Sequence, residues 1–184
     1  PAPGVPPATR TVDAGVICFA PSGAAALIRK ASGDSPLLFT ANLHYDTTTA
    51  AGLKWATAKL GSRKAGFTYQ EAPFGDLAGK GAREALAAKG MTLAAEAGYK
   101  VGDIDFSSQV ARMRAAGVDL IVGATTTRET IAVSAEVKKL GWTGVNVLTA
   151  SPGRAGTTVS IGKASVEGLY GIGGWRITPA GAPS

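Results

Sequence analysis

Two passages, Tyr69-Gln70-Glu71-Ala72-Pro73-Phe74-Gly75 and Gly102-Asp103-Ile104-Asp105-Phe106-Ser107-Ser108-Gln109-Val110, decide how this chain folds. Each follows a short apolar run and leads into a segment with helical spacing, so each reads as the turn from a buried strand into a helix. Between Lys64 and Gly144 such strand-like and helix-like patterns alternate four times. That alternation predicts parallel strands joined by right-handed crossover helices. The fold class expected is α/β, with three layers (α/β/α) around a mainly parallel sheet.

Working outward, strands are expected near Gly15–Ala20, Pro36–Thr40, Ala65–Tyr69, Thr92–Tyr99, Asp119–Gly123, Val145–Thr149 and Gly168–Trp175. Most are continuous apolar runs rather than alternating ones, the pattern of strands covered on both faces. Helices are expected from Thr47 to a stop at Gly61, from Asp76 to Lys89, from an Asp105 N-cap to the residues before Gly117, and from Arg128 to Leu140 with Thr127 as cap. The Pro-rich first residues, through about residue 12, read as an extended arm, and residues 177–184 as a similar tail.

The chain has 184 residues, 45% hydrophobic and 17% charged, which excludes a disordered chain and suits a packed domain. No apolar run reaches the length of about 18 residues that a membrane-spanning helix needs. The chain is therefore read as not membrane-spanning. The net charge of +6 comes from Lys and Arg scattered singly or in pairs, without interleaved aromatics, so a solvated surface is read rather than a nucleic-acid partner. Cys18 is the one cysteine and is read as a small core residue of the first strand. The first residue is Pro1, and no basic-then-apolar leader follows, which is read as a processed or truncated start.

Ligands of open parallel sheets lie beyond the carboxyl ends of the strands, where helix N-termini present free N–H groups. Three turns meet that description: Phe19 to Gly23, Tyr69 to Asp76, and Gly123 to Thr127. Ser22, Thr125 and Thr126 offer hydroxyls beside helix starts, which suits a carboxylate. Phe74 follows a proline in a polar turn and is read as an apolar wall for a ligand. Signals for catalysis are thin. His44 is the single histidine, no metal-ligand spacing occurs, and no Gly-x-Ser-x-Gly elbow is present. Gly79-Lys80-Gly81 sits inside a helical pattern and Gly171-Ile172-Gly173-Gly174 follows no strand-to-helix turn, so neither is a phosphate loop. Asp103 and Asp105 are explained as a turn residue and a cap. No cofactor and no metal are expected.

The same passages, with Ala115-Ala116-Gly117-Val118-Asp119 and Lys139-Leu140-Gly141-Trp142-Thr143-Gly144, resemble the periplasmic solute-binding proteins of ABC transporters in the branched-chain amino acid group. The resemblance covers roughly 100 residues and implies a type I periplasmic-binding-protein-like lobe. It implies a two-lobed protein that closes on a small carboxylate-bearing solute, an amino acid or an aromatic or aliphatic acid, and delivers it to a membrane permease from the periplasm or cell envelope. It places ligand contacts on Phe74, on Thr125 or Thr126, and on Ala150 or Ser151 in the second lobe. In the first lobe it places them on Ser22 and on the Thr40-Ala41-Asn42 turn, which adds Thr40 and Asn42. Residues 13–44 then read as a remnant of the first lobe and hinge, and 45–176 as the second lobe of a fragment or shortened chain. The acidic residue that usually clamps an α-amino group is not evident near Ala150, which makes a carboxylic acid without an amino group, aromatic among the options, a rival to an ordinary amino acid. The alternatives are a sensory or regulatory domain of the same fold and a flavodoxin-like enzyme.

Overall fold

The computed structural model describes residues 5–20, 25–41 and 43–174. Ser22, Asn42 and Trp175 lie outside the described residues.

The chain opens with helix α1 (Val5–Asp13) rather than an extended arm. Pro6 and Pro7 fall in its first turn, where no N–H is required and the fixed φ of proline already suits a helix. Strand β1 (Cys18–Ala20), helix α2 (Ala25–Ala31) and strand β2 (Leu38–Thr40) follow. The two strands pair in parallel, Cys18 opposite Leu38 and Phe19 opposite Phe39. Ala8, Val12, Ile28 and Leu38 form a small core with Cys18 and Leu37 partly packed against it. Cys18 is half-buried, and its neighbour Phe19 is 69% exposed, so this strand is covered on one face only.

The remaining chain alternates as predicted: α3 (Tyr45–Lys59), β3 (Ala65–Gln70), α4 (Pro73–Ala87), β4 (Ala95–Tyr99), α5 (Ser107–Ala115), β5 (Leu120–Ala124), α6 (Thr127–Lys139) and β6 (Asn146–Thr149). A 3-10 turn (Ser151–Arg154), a short helix α7 (Gly156–Gly162), a second 3-10 turn (Lys163–Val166) and the two-residue strand β7 (Tyr170–Gly171) complete it. The five strands from β3 onward form one parallel sheet in the order β4-β3-β5-β6-β7. The last strand is much shorter than the apolar run from Gly168 to Trp175 predicts.

Both faces of this sheet are covered. On one, α3 and α4 bring Leu53, Ala56, Ala78, Ala82 and Leu86 against Phe67, Leu120, Val122 and Leu148. On the other, α5 and α6 bring Val110, Met113, Val133 and Val137 against Tyr99 and Ile121. Every residue of β5 is buried, which is why its sequence reads as an unbroken apolar run. Each large side chain in these layers contributes about 1.5–3 kcal/mol through removal from water. Helices α3 and α4 approach closely at Gly81, where a Cβ would lie 2.0 Å from the Asp46 carbonyl oxygen. Gly141 ends α6 with φ +56°, the left-handed conformation its position after the helix demands.

At the β4 edge the carbonyls of Glu96 and Gly98 point away from the sheet. Arg112 Nη1 donates to the first at 3.0 Å and Gln109 Nε2 to the second at 3.4 Å. Arg83 also binds the Glu96 carboxylate through Nη2 at 2.5 Å.

Candidate functional site

Because all five strands run the same way, the turns after β3, β5 and β6 leave the sheet at one edge, and the sheet order makes them neighbours. Glu71 and Ala72 lead into α4, Thr125 and Thr126 into α6, and Ala150 into the Ser151–Arg154 turn. The Ala150 N–H donates to the Gly123 carbonyl at 2.8 Å, tying the last two turns together.

Beneath them three threonine hydroxyls close a buried triangle. Thr125 Oγ1 lies 2.7 Å from Thr130 Oγ1 and 3.2 Å from Thr149 Oγ1, and the last two are 3.1 Å apart. All three residues are at most 1% exposed. Gly153 sits directly on the triangle: a Cβ there would lie 2.0 Å from Thr149 Oγ1 and 2.3 Å from Thr130 Oγ1. Thr125, expected to face a ligand, therefore turns its hydroxyl into the protein interior. The reason is tertiary, since the partners arrive from α6 and β6.

Thr126 is exposed and occupies the N-cap position of α6, with extended backbone. Thr127, expected to be the cap, is instead the first helical residue. Its hydroxyl accepts from Thr158 Oγ1 at 3.2 Å. The Thr126 hydroxyl donates to Glu129 Oε2, and Arg128 Nη2 stands 3.5 Å from the other carboxylate oxygen. Glu129 is 5% exposed, so this is a buried carboxylate held by two local partners. The Thr126-x-x-Glu129 spacing is that of a capping box, a signal that identifies Glu129 from sequence.

Tyr99, at the end of β4, adds a second group that the sequence reading did not single out. Its buried hydroxyl donates to the Ala124 carbonyl at 3.2 Å. Burial, reinforced by the nearby Glu129 charge, pushes its ionisation well above the usual range for tyrosine; the Thr126 backbone opposes this. The phenol stays neutral and acts as a donor that fixes the end of β5.

Phe74 is the second residue of α4 and is partly buried against the core below α3 and α4. Its ring meets Tyr45 edge-on, with centroids 4.6 Å apart and planes at 63°. In sequence it follows a proline in a polar turn with little core to join, because Tyr45 lies far upstream. Gly75 permits this tight entry into α4, since a Cβ there would lie 2.0 Å from the Gln70 carbonyl oxygen. Ser151 is half-buried and opens the 3-10 turn. Thr40 ends β2, in the two-stranded sheet, paired with Ala20. The five-stranded sheet thus gathers Phe74, Thr126 and Ser151 at one edge.

Asp105 does not itself occupy the cap position of α5, which falls on Phe106, but its Oδ1 accepts the Ser107 N–H at 2.9 Å. Among the described residues no group of three His, Cys, Asp or Glu side chains could hold a metal ion. No described helix is long and apolar enough to cross a membrane.

A sequence model described as a periplasmic binding protein matches residues 8–183. Three similar solved structures illustrate the fold. A solute-binding protein of an ABC transporter from R. palustris, in complex with benzoate, aligns over 95% of this chain and 48% of its own at 14% identity, with a TM-score of 0.81. A leucine binding protein from Thermotoga maritima aligns over 95% and 57% at 17% identity, TM-score 0.78. A branched-chain amino acid ABC transporter protein from Thermus thermophilus with bound valine aligns over 72% and 35% at 18% identity, TM-score 0.66. This chain spans between about a third and just over half the length of these structures. No curated protein sequence matches the chain.

Proposed function

Because the chain belongs to the periplasmic binding protein family, we propose that it forms chiefly the second lobe of an exported solute-binding component of an ABC transporter. The family and the structures sharing its fold are solute-binding proteins, not enzymes. The proposed ligand is a small carboxylate-bearing solute, either an amino acid of the Leu/Ile/Val type or an aromatic or aliphatic acid, passed on to a membrane permease. The observation that carries this reading is the convergence of the turns after β3, β5 and β6 at one sheet edge, braced by the threonine triangle.

The proposed contacts from this lobe are Phe74, Thr126 and Ser151. In the proposed division, residues 13–44 belong to the first lobe, with Ser22, Thr40 and Asn42 gripping the solute from there. Phe74 supplies an apolar wall whose position is set by Tyr45. Since the Thr126 proton is directed to Glu129, Thr126 offers the solute lone pairs only, and the first N–H groups of α6 and the Ser151 hydroxyl supply the donors. A buried carboxylate behind Thr126 disfavours a second carboxylate at that point, so the solute's acid group is assigned to the first lobe.

Thermal shift with leucine, valine, benzoate and 4-hydroxybenzoate tests the reading, since a ligand that binds only the folded state raises the melting temperature. A rise confined to one acid class supports it and names the solute chemistry. Response to none of them, with a response to flavins or nucleotides, would overturn it. In calorimetry with the responding acid, Phe74→Ala is expected to weaken binding by about 1–3 kcal/mol through lost apolar burial; unchanged affinity removes Phe74 from the site.

A further inference from the structure

The neighbouring strands β3 and β5 send their following helices to opposite faces of the sheet: α4 packs with α3 on one face, α6 with α5 on the other. Where adjacent strands diverge in this way a crevice opens beyond their carboxyl ends, and open parallel sheets take their ligands there. Tyr69 and Ala124 are register partners at that point, on strands about 4.8 Å apart. The start of α4, with Phe74, and the start of α6, with Thr126, therefore flank one crevice.

Its two walls differ in chemistry. On the α4 side Phe74 is met edge-on by Tyr45, and next to them Phe67 and Tyr69 stack with centroids 5.2 Å apart and planes at 11°. Tyr45, Tyr69 and Phe74 are all half-buried, so the cluster is not closed off from the surface. Such a cluster suits a planar ring, which it meets by stacking or by edge contact. On the α6 side the polarity is set by a residue that does not reach the surface. Buried Glu129 takes the Thr126 proton, which leaves the exposed Thr126 oxygen as an acceptor beside the first N–H groups of α6, which have no partner within the helix. A carboxylate at this wall meets the Thr126 lone pairs and the Glu129 charge, and an ammonium has no lone pair for the N–H groups. A neutral hydroxyl donates to the one and accepts from the other.

We propose that the solute is a planar aromatic acid with a neutral hydroxyl at the end remote from its carboxylate. Tyr45 and Phe74 select the ring, Thr126 selects the hydroxyl, and Glu129 is a positioning residue that fixes which way the Thr126 proton points. This rests on the solute reading above, in which the acid group lies against the first lobe.

Calorimetry with 4-hydroxybenzoate, 4-methoxybenzoate, trans-4-hydroxycyclohexanecarboxylate and leucine tests it. A methoxy group accepts but cannot donate, so 4-hydroxybenzoate is expected to bind at least about tenfold more tightly than 4-methoxybenzoate. A margin of about tenfold is also expected over the non-planar cyclohexane acid and over leucine. Glu129→Gln presents an amide N–H to the Thr126 oxygen and releases the Thr126 proton to the crevice, so the preference for hydroxy over methoxy is expected to fall to about threefold or less. A Glu129 that served only the fold would move both affinities alike and leave their ratio unchanged. Thr126→Val, at an exposed position, removes the acceptor and is expected to abolish the same preference. Equal binding of the hydroxy and methoxy acids, a ratio unmoved by both variants, or tighter binding of leucine would each overturn the proposal and leave the solute reading standing. Binding of none of the four overturns the proposal, and a response to flavins or nucleotides in their place overturns the solute reading with it.

Discussion

Replacing Gly153 with Ala places a methyl group where the structure leaves no room. The added Cβ would lie 2.0 Å from Thr149 Oγ1, 2.3 Å from Thr130 Oγ1 and 2.9 Å from the Thr125 carbonyl oxygen. None of these atoms is the end of a long flexible side chain, so the 3-10 turn must lift or the hydroxyl triangle must open. Overpacking of this kind costs about 1–3 kcal/mol. A hydroxyl bond broken in a buried setting adds about 1–3 kcal/mol, because the separated groups gain no water. The expected loss is therefore about 2–6 kcal/mol, which lowers a urea midpoint by about 1–3 M at an m-value of about 2 kcal/mol/M. Gly156→Ala is the matched control: it lies three residues on, has open space at the Cβ position, and starts α7. That change is expected to be neutral or slightly stabilising. Urea unfolding of both variants, read by circular dichroism, decides the matter. A Gly153→Ala midpoint equal to that of Gly156→Ala would refute the claim that the triangle and the turn are locked together.

Two other predictions concern the same five-stranded α/β layer. Gly81→Ala pushes a methyl to 2.0 Å from the Asp46 carbonyl oxygen and is expected to cost at least about 2 kcal/mol by forcing α3 from α4; thermal unfolding checks it, and an unchanged melting temperature sinks it. The raised ionisation of Tyr99 means that the unfolded chain loses this proton first, so stability is full below the tyrosine's ordinary value of about 10 and falls as pH rises above it. Tyr99→Phe should abolish this part of the alkaline loss while costing about 0.5–1.5 kcal/mol at neutral pH for the bond to Ala124. An identical alkaline profile in the two proteins would contradict it.

The parallel layer was legible because its determinants are local. The buried run of β5, the glycine after α6 and the alternation of periods each speak for themselves in sequence. Helix α1 is not legible in the same way, because a proline-rich composition reads as an extended arm, although two of its prolines fall where a helix accepts them. The threonine run shows the limit most clearly. Thr125, Thr126 and Thr127 are chemically equivalent in sequence, and only the arrival of Thr130 and Thr149 selects which hydroxyl points inward. Phe74 is similar, since its surroundings depend on Tyr45 from another helix. Thr126 and Glu129 were readable together from their spacing, and Tyr99 from its place at a strand end, but only a tertiary view shows them beside one another.

The side chains that occupy the β4 edge also govern how this sheet behaves in a crowded solution. An edge strand with free carbonyls is a template on which a second chain can add a strand. Here Arg112 and Gln109 hold the Glu96 and Gly98 carbonyls, and at the opposite edge β7 offers only two residues. With two outward carbonyls of β4 already taken by α5 side chains, and only two paired residues in β7 among the described residues, edge-to-edge addition of a further strand is disfavoured at both margins of the five-stranded layer.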